Sequence, residues 1–343
     1  MNNKKKLLII LCILLVIGSC CAGIVYHLIF VPQFHPQTKV YIYINRDDNI
    51  DSVYHKLKVT ASPGRMSGLY WMGRLKQYPE HIHTGRYAIY PKDNVYHVFS
   101  RLSRGHQEPI NLVIGSVRTL DKLARNVSRQ IMADSIEIMQ GLSDSAYWEK
   151  QGYTPKTLPA LFIPNTYQVY WDMSADDFFK RMVKEHNRFW NKHRLAQADS
   201  LGMIPAQVVT LASIVEEETN NAQEKATVAG LYINRLRAGI PLQADPTVKF
   251  AWQDFSLRRI SNAHLEIDSP YNTYRYAGLP PGPIRIPTPA GIDAVLNYEH
   301  HKYLYMCAKE DFSGTHNFAS TYAEHMQNAR KYRNALNKRK IFK

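Results

Sequence analysis

Pro205-Ala-Gln-Val-Val-Thr-Leu-Ala-Ser-Ile-Val-Glu-Glu-Glu-Thr219 is the segment on which the reading of this chain turns. Val208, Leu211, Ala212 and Val215 recur at helical spacing with Ile214 beside them, and Pro205 suits a first turn, where a missing N–H costs nothing. Three glutamates close the segment. At about 100° per residue, Glu217 points nearly opposite the apolar stripe and toward solvent, Glu216 falls at its margin, and Glu218 extends it. The helix is expected to stop after Glu218, because Thr219-Asn220-Asn221 continues it poorly. Asn221 with Glu224 then offers a capping-box-like start to a second helix, Glu224 to Leu236. A half-buried carboxylate at a helix C-terminus, beside other carboxylates, is pushed toward its protonated form. An acid that keeps its proton near neutral pH is what glycosidic cleavage requires. The competing reading is a solvated helix end with no chemistry.

Outward from this segment, the N-terminus sets the compartment. Leu7 to Phe30 is nearly unbroken apolar sequence behind Lys4-Lys5-Lys6, long enough for the roughly 20 residues a bilayer core needs. The lysines are expected to stay cytoplasmic. Residues 1–6 then form a tail, 7–30 a single-pass transmembrane helix in the inner (cytoplasmic) membrane, and the bulk lies on the periplasmic, outer side. Two alternatives stand beside an uncleaved anchor. A cleaved signal peptide lacks a small-x-small site followed by polar sequence. Lipidation at Cys20 is suggested by Ile17-Gly18-Ser19-Cys20, but the apolar run continues through Ile24, Val25, Leu28 and Ile29.

The rest of the chain reads as a globular protein, with 45% hydrophobic and 21% charged residues. Its net charge of +14 is spread along the sequence. Nucleic-acid binding would need clustered bases with stacking aromatics, and the outward topology disfavours it as well. Attraction to an anionic membrane or wall polymer fits equally with a plain excess of surface charge. Cys12, Cys20 and Cys21 lie in the apolar run, so Cys307 is left without a partner for a disulfide. His81/His83 and His300/His301 have no carboxylates or thiols at ligand spacing, and neither metal nor cofactor is expected. After a linker at 31–37, a strand at Val40–Ile44, a helix at Asp51–Leu57, a strand at Gly85–Tyr90 and a helix at Asn94–Leu102 predict a small α+β module over 38–108. A larger α+β domain over 109–343 opens with a strand at Ile110–Ile114 and a helix from Thr119. It continues with an amphipathic helix at Asp176–His193, and a proline-rich loop region lies between 241 and 289.

Motifs beyond the glutamates sharpen this picture. Leu242-Gln243-Ala244-Asp245-Pro246-Thr247, Tyr271-Asn272-Thr273-Tyr274 and Gly278-Leu279-Pro280-Pro281-Gly282 follow the two helices, and Pro164-Asn165-Thr166-Tyr167 precedes them. Taken with Ala212-Ser213-Ile214-Val215-Glu216, Glu218-Thr219 and Tyr232-Ile233-Asn234-Arg235-Leu236, they resemble in order and spacing the endolytic murein transglycosylases of the YceG-like family. The resemblance implies a membrane anchor, a small LysM-like module over 38–108, and a catalytic transglycosylase domain over 109–343. It names Glu218 as the catalytic acid, protonating the oxygen between N-acetylmuramic acid and N-acetylglucosamine in peptidoglycan glycan strands. The muramic 6-hydroxyl then closes onto C1, leaving a 1,6-anhydro end.

Gln243, Asp245, Asn272, Thr273, Tyr274 and Asn165 are the candidates for holding sugar hydroxyl and acetamido groups. Pro246, Pro280 and Pro281 are expected to stiffen loops, with His316 and Glu324 structural. One departure stands out: the family usually carries a basic residue where this chain has Glu217. Nascent strands are the implied substrate, with penicillin-binding synthases as associated partners. A non-catalytic peptidoglycan-binding scaffold and a hydrolytic muramidase remain as alternatives, the second separable only by its products.

Overall fold

A computed structural model provides the structure, which describes residues 3–257 and 259–339. Helix α1 (Asn3–Ile29) has 27 residues, which at about 1.5 Å each extend roughly 40 Å. An 18-residue window within Lys4–Ile29 has a mean hydropathy of 3.0, so by length and composition the helix could cross a membrane. By internal contacts the chain divides into two compact units. One holds the chain up to Leu112 with 130–132 and 168–173; the other holds Val113–Arg129, Ala133–Tyr167 and the chain from Ser174.

In the first unit, β1 (Val40–Ile44), α2 (Ile50–Thr60), α3 (Ser67–Leu75), β2 (Gly85–Ile89) and α4 (Val95–Ser103) follow the strand–helices–strand–helix order read from the sequence. The strands pair antiparallel from Val40↔Ile89 to Ile44↔Gly85. Alternation in β1 turns Ile42 and Ile44 into a core with Phe34, Leu57, Tyr87 and Val98. Asn49 and Asn94 start α2 and α4 by accepting from the Ser52 and His97 N–H groups. Helix α3 carries two glycines that dilute its helical pattern, and both lie where a neighbour comes close. A Cβ on Gly68 would collide with the Leu28 carbonyl of α1, and one on Gly73 with the Tyr54 hydroxyl.

Strands β3 (Ile110–Ile114) and β4 (Asn165–Val169) pair with each other. The second unit is mainly helical, with α5 (Leu120–Ser128), α6 (Ser135–Leu142) and α7 (Ser145–Lys150) first. The single helix expected at Asp176–His193 is two helices, α8 (Ala175–Phe189) and α9 (Lys192–Ser200). Trp190 leaves helical geometry at ψ 61°, and Asn191 caps a fresh helix through the Arg194 N–H.

Helices α10 (Pro205–Glu218) and α11 (Lys225–Arg237) match the two expected around the glutamates. The one-sided stripe does not hold, since every residue of α10 from Val208 to Glu216 is buried. Helices α11, α12 (Asp245–Trp252) and α14 (Pro289–Leu296) all pack on α10, as does the segment Leu158–Leu161, while α13 (Asn262–Leu265) lies in the intervening loops. The capping box expected at Asn221 is also absent. Asn221 Oδ1 accepts from the Gln223 N–H, and the Glu224 carboxylate turns instead to Thr219 and His316. Strands β5 (Tyr305–Ala308) and β6 (His316–Ala319) form an antiparallel hairpin. Helix α15 (Tyr322–Lys338) begins with a capping box between Thr321 and Glu324, which gives Glu324 a structural task.

The proline-rich loop is fastened to α10 at Ser213, whose fully buried hydroxyl donates to the Thr210 carbonyl and accepts from the Ile284 N–H at 3.0 Å. Ser213→Ala strands that N–H in a dry site. The variant is expected to lose roughly 1–3 kcal/mol, read as a lower midpoint in urea denaturation.

Candidate active site

The three adjacent glutamates at the end of α10 meet three different surroundings. Glu216 is buried and accepts from the Thr288 N–H at 3.0 Å and from the Thr288 hydroxyl, with Lys225 Nζ at 3.2 Å. Glu217 does not face solvent as its helical angle suggested. It takes a two-pronged contact from Arg118 at 2.8 and 2.7 Å and a third from Arg285 at 2.9 Å. The reason is that two loops cover this side of α10, one carrying Arg118 and the other Arg285, with Arg285 held in turn by Ser116 at 3.0 Å. An acidic residue therefore satisfies this position in this chain. Glu218, the last helical residue, has no ion pair among the described residues. Its hydrogen bond comes from the Tyr232 hydroxyl of α11, at 2.9 Å to Oε1.

Glu218 is half-buried in the wall of a cavity of about 380 Å³ within the second unit. Burial pushes its carboxyl up to about 7. The Tyr232 hydrogen bond works against that rise, Asp245 adds to it, and Glu217 contributes least of the acidic neighbours. The weak effect of Glu217 follows from the two guanidiniums that hold it.

Opposite groups in the wall come from the motif segments. Asp245 opens α12 and accepts from the Tyr274 hydroxyl at 2.5 Å. Gln243 stands at φ +52°, a left-handed backbone that costs a non-glycine residue about 1 kcal/mol or more. It is held there by its N–H to the Thr273 carbonyl at 3.0 Å and by Arg235 Nη2 to its Oε1 at 2.5 Å. Arg235 is itself buried and reaches the carbonyls of Pro241 and Leu304 at 2.9 Å each. Burial lowers its pKa and raises that of Tyr232.

Of the residues read from sequence, Glu218, Gln243, Asp245 and Tyr274 line this cavity together. Asn272 and Thr273 do not. Both are buried, with Asn272 Nδ2 donating to the Leu265 and Ile267 carbonyls at 2.7 and 3.0 Å. Thr273 Oγ1 accepts from the Ala244 N–H at 3.0 Å and meets the Thr247 hydroxyl at 2.8 Å. Thr273 splices the two motif loops together and so places Asp245 against Tyr274, while Asn272 braces its own loop. Asn165 is exposed at the start of β4, its Oδ1 accepting from the Thr166 N–H, and it is not in the cavity wall.

Sequence reasoning did not single out Tyr232, Arg235, Tyr305 or His325 as wall residues, and it took His316 as structural. His316 has both roles: it lines the cavity, while its N–H donates to Glu224 Oε1 at 2.7 Å. Glu224 also accepts from the Thr219 hydroxyl at 3.1 Å, tying β6 to the residue after Glu218. His325 stacks on Tyr305 at 5.4 Å, and its buried Nδ1 has no hydrogen-bond partner among the described residues. Burial and then Arg235 lower its pKa. The available signal was the pairing of Tyr232 and Arg235, one helical turn apart on the same helix. Among the described residues, no group of three or more histidines, cysteines, aspartates or glutamates comes together as a metal site.

The profile of the YceG-like family matches residues 42–331, and the chain belongs to that family. It is 34% identical over 168 residues to an endolytic murein transglycosylase of Bacillus subtilis, covering 49% of this chain and 46% of that protein. A Streptococcus pneumoniae protein of the same description is 24% identical over 293 residues, covering 76% of this chain and 52% of the other. The chain spans about half the length of these relatives. A crystal structure of a yceG-like protein from Listeria monocytogenes is similar at a TM-score of 0.57 and 26% identity, covering 85% of this chain and 99% of that one.

The raised pKa of Glu218 has a consequence for folding. Between the ordinary value of 4.5 and about 7 the folded state holds a proton that the unfolded state has released. Stability is therefore lost as pH rises through that window. Glu218→Gln carries no such loss. The variant is expected to match the parent near pH 4 and to exceed its unfolding free energy by roughly 1–3 kcal/mol at pH 8, measured by denaturant titration at both values.

Proposed function

We propose that this protein is a membrane-anchored lytic transglycosylase that cuts peptidoglycan glycan strands internally, with Glu218 as its catalytic acid. The observation that carries the reading is a carboxyl raised to about 7 in the wall of an open cavity, without an ion-pair partner among the described residues, in a chain that matches the family over residues 42–331. The names of the relatives supply the substrate class. We assign residues 38–108 to the small module and 109–343 to the catalytic domain. Helix α1 is the anchor, with Lys4–Lys6 cytoplasmic and the remainder on the periplasmic, outer side. Such an anchor confines cutting to strands close to the membrane, where new chains are made and penicillin-binding synthases would be neighbours.

Tyr232 donates to Oε1 of Glu218 and so leaves Oε2 to carry the proton. Protonation of the glycosidic oxygen by that group breaks its bond to C1 of N-acetylmuramic acid, and the carbohydrate fragment leaves as an alcohol. The carboxylate then takes the proton from the 6-hydroxyl as its oxygen bonds to C1, which closes the 1,6-anhydro ring and restores the acid. No water is consumed. Gln243, Asp245 and Tyr274 contact the sugars in this scheme, while Asn272 and Thr273 position the loops that carry them.

Hydrolysis by a muramidase is favoured by one feature, the second carboxylate of Asp245 in the same cavity. The products decide between the two. Digestion of purified peptidoglycan by the full chain in detergent should give internal cuts with 1,6-anhydromuramic ends by mass spectrometry. Reducing ends would move the assignment to the muramidase, and no cleavage by folded protein to a non-catalytic scaffold. Glu218→Gln should lower the rate by about 10²–10⁴-fold.

Tyr232→Phe tests the setting of the acid. The lost hydrogen bond favours the carboxylate, so its removal raises the pKa. The alkaline limb of the kcat/KM profile should move upward from about 7, and an unmoved limb would dismiss Glu218 as the titrating group.

A further inference from the structure

A second cavity, of about 440 Å³, lies inside the small unit between α3, the 76–83 segment and α4. Its wall is basic and aromatic. Lys76 and Arg104 supply cationic side chains, with His81 and His83 beside them, and the Ser100 and Ser103 hydroxyls face it from α4. No aspartate or glutamate lines it among the described residues. Tyr78, 1% exposed, forms part of the wall, and its hydroxyl is buried without a hydrogen-bond partner among the described residues. The donors converge on an anion with hydrogen-bond acceptors and no positive charge of its own at the bound end.

The position of the cavity says where such an anion would come from. Helix α1 is not tethered loosely to this unit. Gly68 of α3 sits against the Leu28 carbonyl, Asn94 Nδ2 donates to the Phe30 carbonyl at 3.2 Å, and Gln33 Nε2 reaches the His27 carbonyl at 3.4 Å. Tyr96, a wall residue of the cavity, packs its ring 5.7 Å from that of Phe30. Tyr26 stacks on Phe30 at 5.8 Å, so aromatic rings gather where the apolar helix ends. Tyr70, Trp71 and Leu75 of α3 are exposed nearby on the chain, each 45% or more. Aromatic rings concentrate at the membrane–water boundary, the level at which lipid phosphates lie.

We propose that this cavity is a binding site for the phosphate of an anionic membrane-lipid headgroup in the outer leaflet, held by Lys76 and Arg104. The proposal rests on α1 crossing the membrane and is independent of the glycan-cutting reading. Occupancy would hold the small unit down against the bilayer surface, so that α1 and the unit act as one rigid anchor.

The test uses the full chain in phosphatidylcholine nanodiscs containing phosphatidylglycerol with a photoreactive headgroup, and crosslinks are mapped by peptide mass spectrometry. Crosslinks are expected on peptides carrying the cavity wall, reduced at least tenfold in the Lys76→Ala/Arg104→Ala double variant. The exposed Arg65→Ala variant should leave them within twofold. The single variants Lys76→Gln and Arg104→Gln, each at an exposed position, should weaken them severalfold and serve where the double variant unfolds. Crosslinks scattered over the unit, or lowered equally by Arg65→Ala, would overturn the site in favour of diffuse charge attraction. Displacement by 10 mM inorganic phosphate would make the ligand a soluble anion, and displacement by N-acetylglucosamine oligomers a carbohydrate; either overturns the headgroup assignment. Failure of the chain to enter nanodiscs would overturn the anchor and the proposal with it, while leaving peptidoglycan cleavage in detergent unaffected.

Discussion

Between Val208 and Glu216 helix α10 has no solvent face, and the larger unit is organised around that fact. Its apolar residues are covered by α11, α12 and α14, and the loops that cross it deliver the groups that its polar end requires. A buried carboxylate without a partner is costly, and breaking an existing pair leaves a worse situation than never having formed it. Glu216 and Glu217 are accordingly provided for by Lys225, Arg118, Arg285 and Thr288, which come from three separate stretches of the chain. Those same contacts fasten the 116–118 and 284–288 segments over the helix. The charges at the end of α10 thus help to build the walls beside Glu218, which is left with a hydroxyl alone.

The cavity is held from one side by α11. Tyr232 and Arg235 are three residues apart and share a helical face, yet they serve different loops: Tyr232 reaches Glu218, and Arg235 reaches Gln243 together with the carbonyls of Pro241 and Leu304. A single rigid helix therefore registers the end of α10 against the start of α12. Thr273 completes the arrangement from below the surface by bonding across to Ala244 and Thr247. Backbone strain at Gln243 persists because these contacts over-determine it.

Much of this was legible in the residues. The end of α10 at Glu218 followed from poor helix formers after it, and the elevated proton affinity followed from burial at that end. The two strands and the helices α2 and α4 of the small unit followed from local patterning, while α3, with its two glycines, did not announce itself. What failed did so for want of tertiary information. Helical angle placed Glu217 in solvent because nothing local announces that Arg118 and Arg285 will arrive from elsewhere. Asp176–His193 kept its amphipathic pattern through Trp190, and only the cap at Asn191 divides it. Asn272 and Thr273 sit beside Tyr274 in one motif, but both are buried in contacts with distant carbonyls and hydroxyls while Tyr274 reaches the cavity wall. Likewise a wall formed by the β5–β6 hairpin and His325 depends on long-range packing that no window of sequence contains.

The relation of Asp245 to Glu218 is the point at which geometry bears most directly on chemistry. The charge of Asp245 is among the influences raising Glu218. Under the transglycosylase reading that is useful twice: it keeps the acid loaded at neutral pH, and it places negative charge in the cavity where positive charge would grow at C1. Neither task requires Asp245 to bond to carbon or to activate water. Its tie to Tyr274 at 2.5 Å occupies one oxygen and holds the carboxylate to the loop. A base for water needs a free oxygen and room for the nucleophile. A purely electrostatic partner needs only to stay fixed, and the Tyr274 contact supplies that restraint.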